Sequence, residues 1–284
     1  MQFIFYLVQN KLYRFKILTM KSISTIALLF SILLVAFARG KNDIRNTKDK
    51  QEYYRITVYH FATAEQEKIL DNYLEKALLP TLHKNKFENI GVFKPAANDT
   101  AADKTIYIFI NAKTIESLIG VDDLLSTDMD YKSAAKEYLN AAYNAAPFTR
   151  YETILLKAFP MAIKMNLPVL KAAKNEHIYE LRSYESATDA LYKNKVQMFN
   201  EGGEVDLFKK LEFNAVFYAD VLSGSRMPNL IYMTSFENMA ARDTHWKAFG
   251  ESPEWKRLSS LPEYQHNVSK ADIILMHAAA YSDF

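Results

Sequence analysis

Tyr54-Arg55-Ile56-Thr57-Val58-Tyr59 and Tyr179-Glu180-Leu181-Arg182-Ser183-Tyr184 are two versions of one strand. The offset between them, 125 positions (54 to 179), also superposes Ala62, Thr63 and Tyr107 on Ala187, Thr188 and Tyr232. A constant offset held over such a span marks an internal duplication, so the fold of one repeat is the fold of both.

Working outward from these strands, each repeat gives the same order of elements. In the first, residues 53–61 alternate as a strand, and residues 63–84 carry helical spacing through Ile69, Tyr73, Leu74, Ala77 and Leu78. Strands at 90–93 and 105–110, a helical region at 114–142 and a strand at 151–159 follow. The second repeat copies this with a strand at 177–184, helices at 188–211 broken at Gly202-Gly203, and strands at 214–221 and 230–236. A helical region at 238–261 and a strand at 273–278 complete it, with Ser252-Pro253-Glu254 restarting the helix as N-cap and first-turn proline.

The order β-α-β-β-α-β predicts an α+β fold of two tandem ferredoxin-like units, each an antiparallel sheet with both helices on one face. The bare faces require cover, and each unit supplies it to the other: sheet packed on sheet, as a pseudo-dimeric α/β barrel with a pocket between the sheets. Parity then assigns faces. Ile56, Val58, Leu181 and Ser183 are read toward the helices, with Ile106, Ile108, Ile110, Ile231, Met233 and Ser235. Arg55, Thr57, Tyr59, Glu180, Arg182 and Tyr184 are read between the sheets, with Tyr107, Phe109, Asn111, Tyr232, Thr234 and Phe236.

The N-terminus is set apart from this scheme. From Met20, Lys21 supplies a positive n-region, residues 23–35 an apolar run, and Ala36-Phe37-Ala38 a small-x-small cleavage site, which together read as a secretory signal peptide. The run is short for a spanning helix, so the mature chain is expected to lack a transmembrane anchor and to be exported, periplasmic or secreted, after cleavage near Ala38. Residues 1–38 are then extension and signal peptide with translation starting at Met20, 39–52 a flexible leader, 53–160 the first domain, 161–175 a linker and 176–284 the second domain.

The chain has 35 basic and 33 acidic side chains, and Lys11, Arg14, Lys16 and Lys21 belong to the leader, which holds no acid. The remainder is slightly acidic and offers no nucleic-acid footprint. Absence of cysteine excludes a disulfide scaffold, a lipidated N-terminal cysteine and thiol chemistry, so stability rests on a hydrophobic core.

Arg55, Tyr59, Tyr107, Glu180, Arg182, Tyr184 and Tyr232 are the candidate ligand-binding residues. Arginine offers a fork to carboxylates, and tyrosine a hydroxyl beside an apolar ring, so together they suit an acidic or hydroxylated small molecule. The same residues admit another reading, in which Glu180 pairs with Arg182 or Arg55 as a buried polar seam. Arg226, in the loop Leu-Ser-Gly-Ser-Arg-Met-Pro at 222–228, is either an anion clamp or part of a plain hairpin. His245 beside Trp246 is either a proton shuttle or a packing pair. The histidines at 60, 83, 177, 245, 266 and 277 show no zinc-site spacing, and no nucleotide or serine-hydrolase motif occurs, so neither metal nor cofactor is expected.

His-Ile-Tyr-Glu-Leu-Arg-Ser-Tyr at 177–184, the run from Asn229 through Ala-Ala-Arg-Asp-Thr-His-Trp-Lys-Ala-Phe ending at 249, and Ser-Pro-Glu-Trp at 252–255 resemble the NIPSNAP domain. In that family a Tyr-Glu-Leu-Arg-x-Tyr strand, a Tyr-bearing strand followed by an Ala-Arg-Asp helix, and a Pro-Glu-Trp turn recur in this order. The first repeat departs from it, with Tyr-Arg-Ile-Thr-Val-Tyr and no Trp, and resembles a diverged copy. The resemblance implies a dimeric α/β barrel and, for eukaryotic relatives, mitochondrial, membrane-trafficking or protein-interaction roles. It implies no catalytic residues.

Two functions follow as expectations. One is an exported, non-catalytic module that binds a small molecule or a protein partner, with a homodimer compatible with either. The alternative is an enzyme resembling the cofactor-independent monooxygenases or isomerases of the same superfamily, an argument from fold alone, with Glu180 or His60 as the titratable group.

Overall fold

The computed structural model describes residues 50–284, so the signal-peptide reading of 1–38 and nearly all of the 39–52 leader lie outside the described residues. The strands are β1 (Tyr53–Phe61), β2 (Gly91–Pro95), β3 (Lys104–Ala112), β4 (Arg150–Ala158), β5 (Ile178–Glu185), β6 (Phe217–Ser223), β7 (Asn229–Phe236) and β8 (Lys270–Ala278). They close as β1-β3-β2-β8-β5-β7-β6-β4. Within this ring β4-β1-β3-β2 and β8-β5-β7-β6 are two ferredoxin-like sheets of identical internal order, as the duplication requires. What joins them is edge pairing. Phe93 to Pro95 of β2 pair with Ala278 to Met276 of β8, and Leu156 to Ala158 of β4 with Val221 to Ala219 of β6. Closure removes the unpaired edges that each four-stranded sheet would otherwise present to solvent.

The helices lie outside the barrel. In the first half α1 (Ala64–Tyr73) starts at Thr63, whose side chain accepts from Gln66 N–H in a capping box. It passes through a π-helical turn, Leu74–Leu78, into α2 (Leu79–Lys84). Pro80 accounts for that turn, because it has no N–H for the Lys76 carbonyl and its ring crowds that carbonyl outward. The region expected as one helical stretch from 114 is four short pieces: α3 (Ile115–Ile119), α4 (Val121–Thr127), α5 (Met129–Ala134) and α6 (Lys136–Leu139). Asp128 breaks it in extended backbone while capping Tyr131 N–H. The second half is covered by longer helices: α7 (Asp189–Phe199), α8 (Glu204–Lys210), α9 (Met239–Glu251) and α10 (Pro253–Ser260). Ser252 caps α10 with Pro253 in its first turn, as the sequence predicts.

The barrel interior is a packed core. Tyr54 lies between Phe109 and Phe217 at ring separations of 5.3 and 5.2 Å, and Phe93 contacts Tyr179 and Phe284 at 4.8 and 5.2 Å. Each fully buried large side chain of this kind contributes about 1.5–3 kcal/mol. Ile56, Val58, Leu181, Ile231 and Met233 belong to this interior, which reverses their expected placement toward the helices. Ile106, Ile108 and Ile110 do face the helices, and Phe109 faces inward.

The register explains the reversal of Ile231 and Met233. Arg182 pairs with Tyr232 in the second half, whereas its counterpart Thr57 pairs with Ile108 in the first, an offset of 124 (108 to 232) and not 125. Between the first and third strands the second repeat is one residue shorter, and a one-residue slip turns every side chain to the opposite face. Tyr107 and Tyr232 therefore coincide in an ungapped alignment and point to opposite sides of the sheet.

Candidate functional site

Arg55, Tyr59, Glu180, Arg182, Tyr184 and Tyr232 lie on the outer face of the barrel, beneath the helices, and not between the sheets; of the predicted residues only Tyr107 faces inward. Both faces of this sheet are covered, so polarity does not mark which one meets the core. The closed interior takes the mainly apolar rows, Ser183 and Ser235 included against their expected placement, and the charged rows meet the helices in two clusters of opposite design.

In the second half Glu180 is fully buried. Its Oε1 accepts from Arg182 Nε at 2.6 Å, and its Oε2 accepts from Arg242 Nε at 2.7 Å and Trp246 Nε1 at 2.9 Å. The Arg182 guanidinium lies 3.5 Å over the Trp246 ring and donates to Tyr184 Oη at 3.0 Å, which is 2.9 Å from Tyr232 Oη. Phe208, Phe213 and Phe249 pack around the indole at 5.8, 4.8 and 5.5 Å. This is the polar seam of the sequence reading, formed by Glu180 with Arg182 and Arg242. It runs between sheet and helix, and Arg55 takes no part in it.

In the first half the offset of 124 puts Leu118 where Arg242 stands and Asp122 where Trp246 stands, while Arg55 takes the place of Glu180. The charges are exchanged. Arg55 Nη1 donates to the Leu118 carbonyl at 3.2 Å, its Nη2 reaches Asp122 Oδ1 at 3.1 Å, and its Nε is 3.4 Å from Thr57 Oγ1. An aspartate fills far less space than an indole, and Leu125 stands where the second half has Phe249. The space so released is a cavity of about 380 Å³, with Arg55 and Thr57 at its base and Ile108, Ile110, Leu78, Val121 and Leu125 on its walls.

Tyr59, Tyr73, Tyr131, Tyr138 and Tyr151 complete the lining. Tyr59 and Tyr138 hydroxyls are 2.8 Å apart and those of Tyr73 and Tyr131 3.1 Å, while the Tyr73 and Tyr138 rings stack at 3.8 Å. Burial pushes the Tyr59 phenol up to about 12 and raises Tyr73, Tyr131 and Tyr138 as well, so at neutral pH each keeps its proton and can donate it in a hydrogen bond. The π-helical turn after Tyr73 supplies Leu78 to the wall. Tyr151 and Leu139 stand half exposed at the rim. Among the described residues Asp122 is the one carboxylate lining the cavity and no histidine reaches it, while Lys132 and Ser126 also lie in the lining. Tyr59 and Arg55 were legible as candidates. The helical tyrosines and Asp122 were not, because helical spacing shows which residues turn inward and not which of them border unfilled space.

The remaining candidates are used elsewhere. Tyr107 borders a small recess of about 30 Å³ at one barrel mouth, where Arg226 is neutralised by Glu185 and Asp272. His245 donates from Nδ1 to the Leu211 carbonyl at 2.8 Å and packs on Phe213. His60 pairs with Asp103 at 2.8 Å on the surface. Among the described residues no helix is long and apolar enough to cross a membrane.

Residues 179–283 match the NIPSNAP family model. This half of the chain is a NIPSNAP domain. The first half, with the cavity, lies outside the match. Two solved structures share the barrel fold over both halves, the putative monooxygenases of Lactobacillus acidophilus NCFM and Fusobacterium nucleatum subsp. nucleatum. They are 13% and 5% identical, with TM-scores of 0.50 and 0.52, and each comparison covers 81% of this chain and 94% of the other. That likeness shows the dimeric α/β barrel fold. A NIPSNAP-like domain protein of Burkholderia xenovorans, 14% identical at a TM-score of 0.35, aligns over 38% of this chain and 90% of its own. Comparison with curated protein sequences gives no match.

Proposed function

We propose that this protein is a non-catalytic small-molecule-binding module whose site is the cavity of the first half, while the NIPSNAP half serves as its filled structural partner. One observation carries this reading: space that Trp246 and Phe249 fill in the second half is open in the first and lined by a fixed guanidinium and tyrosine hydroxyls. The volume, apolar walls and few convergent polar groups suit a small ligand with an aromatic or alicyclic body. Burial holds the lining phenols neutral, so they meet a ligand as hydrogen-bond donors, which suits binding.

Native mass spectrometry of the protein purified from its natural compartment tests the reading. A reproducible adduct lost on mild denaturation, and lost in Leu125→Phe, which copies Phe249 into the cavity wall, is the expected result. An adduct unaffected by that substitution would move the site elsewhere. The alternative of a monooxygenase- or isomerase-like enzyme in the same cavity is supported only by what the two fold neighbours are said to be. It predicts oxygen uptake or product formation once the bound compound is supplied in excess. We also propose that the protein acts after export, on the strength of the signal-peptide pattern ending at Ala38; N-terminal sequencing of the mature chain should then begin at Arg39.

A further inference from the structure

We infer that the ligand of this cavity is an aromatic carboxylate of about indole size, whose anionic group displaces Asp122 from Arg55. The inference rests on the binding role proposed above and adds the chemical class and the exchange. The protein's second half supplies the template. There an indole occupies the corresponding space, beneath the guanidinium of Arg182 and hydrogen-bonded to the carboxylate at the position equivalent to Arg55. In the first half the sign at that position is reversed, so the complementary ligand brings the ring and the carboxylate together.

The two members of the Arg55–Asp122 pair are unequally held. The Arg55 side chain is 10% exposed and is anchored by the Leu118 carbonyl, so its direction is fixed. The Asp122 side chain is 75% exposed, and among the described residues it pairs with Arg55 alone. Asp122 is hydrated on its own, so it swings into water once another anion takes its place on the buried guanidinium. A ligand carboxylate entering the cavity meets the same guanidinium face with better shielding from solvent, where a two-pronged contact is stronger. Asp122 thus acts as a resident competitor that keeps Arg55 paired while the cavity is empty. Tyrosine hydroxyls elsewhere in the lining are suited to a ring N–H or hydroxyl on the ligand.

Titration calorimetry with indole-3-acetate and indole-3-acetamide, which share shape and differ in charge, tests this. The acid should bind the full chain about tenfold more tightly than the amide. Asp122→Asn should tighten the acid about fivefold while leaving the amide within about twofold. Asp123→Asn removes the same charge one residue away, at a side chain that does not contact Arg55, and should change the acid by less than about twofold. Equal binding of acid and amide, or equal gains in the two variants, would overturn the displacement and leave the cavity as a binding site. Failure of both probes to bind wild type and Asp122→Asn alike would overturn the displacement and remove support from the binding role as well.

Discussion

Glu180 carries a negative charge into a site closed to solvent, and what makes that tolerable is that two guanidinium groups and an indole N–H converge on its two oxygens. Removing the charge leaves Arg182 and Arg242 facing each other across a neutral group. Breaking a buried pair in this way costs about 3–5 kcal/mol. Glu180→Gln should therefore lower the urea midpoint strongly and leave indole-3-acetate binding in the other half unchanged. If binding is lost while stability holds, the seam is a functional site after all. A second residue-scale effect concerns pH. Burial pushes Tyr59 and Tyr179 up to about 12, against an ordinary phenol near 10. The unfolded chain releases these protons first as pH rises. Their contribution is intact below about pH 10 and is lost between about 10 and 12. Alkaline difference absorbance should show these phenols titrating late, together with loss of the near-ultraviolet circular dichroism signal; early titration without unfolding would contradict their burial.

At the scale of elements, β2 is short, and it forms the seam to β8 through three residue pairs. Gly91 begins it because a Cβ there would lie 2.3 Å from the Phe93 ring, which is itself fully buried against Tyr179. Gly91→Ala must push that ring into the barrel interior, at about 1–3 kcal/mol. The expected result is a lower melting temperature and faster hydrogen exchange at both β2 and β8; unchanged protection of β8 would mean that the seam does not depend on this contact. Strand order and most element positions were legible because alternation, capping residues and the duplication reinforce one another. The faces of β1, β5 and β7 were not. A sheet covered on both sides has no wet face to reveal its orientation, and the missing residue between β5 and β7 is invisible when Tyr107 and Tyr232 align so readily. The cavity was illegible for a related reason. It is made by what α4 lacks, namely a bulky ring at Asp122, and a missing side chain becomes a cavity only when the neighbours that fail to collapse into it are known.

For the whole molecule, closure is the controlling fact. Each half alone would expose the edges of β2 and β4, or of β6 and β8, together with an inner face carrying Tyr54 and Phe109, or Tyr179 and Phe217. Residues 50–160 and 161–284 expressed separately should aggregate or self-associate, and co-expression should restore a one-to-one complex with native-like circular dichroism. Two well-behaved monomers would show that the barrel is dispensable.

The sequence alone determined that the chain is a duplicated ferredoxin-like unit, that its second half carries the NIPSNAP pattern, and that arginine, glutamate and tyrosine rows occupy one face of its leading strands. These properties are written in periodicity and spacing, which local backbone geometry reads directly. Only the tertiary structure decided which way those rows point and that one polar cluster is sealed while its sign-reversed counterpart borders an open cavity. Side-chain direction depends on inter-strand register, and empty space depends on the joint packing of elements distant along the chain, neither of which any single segment encodes.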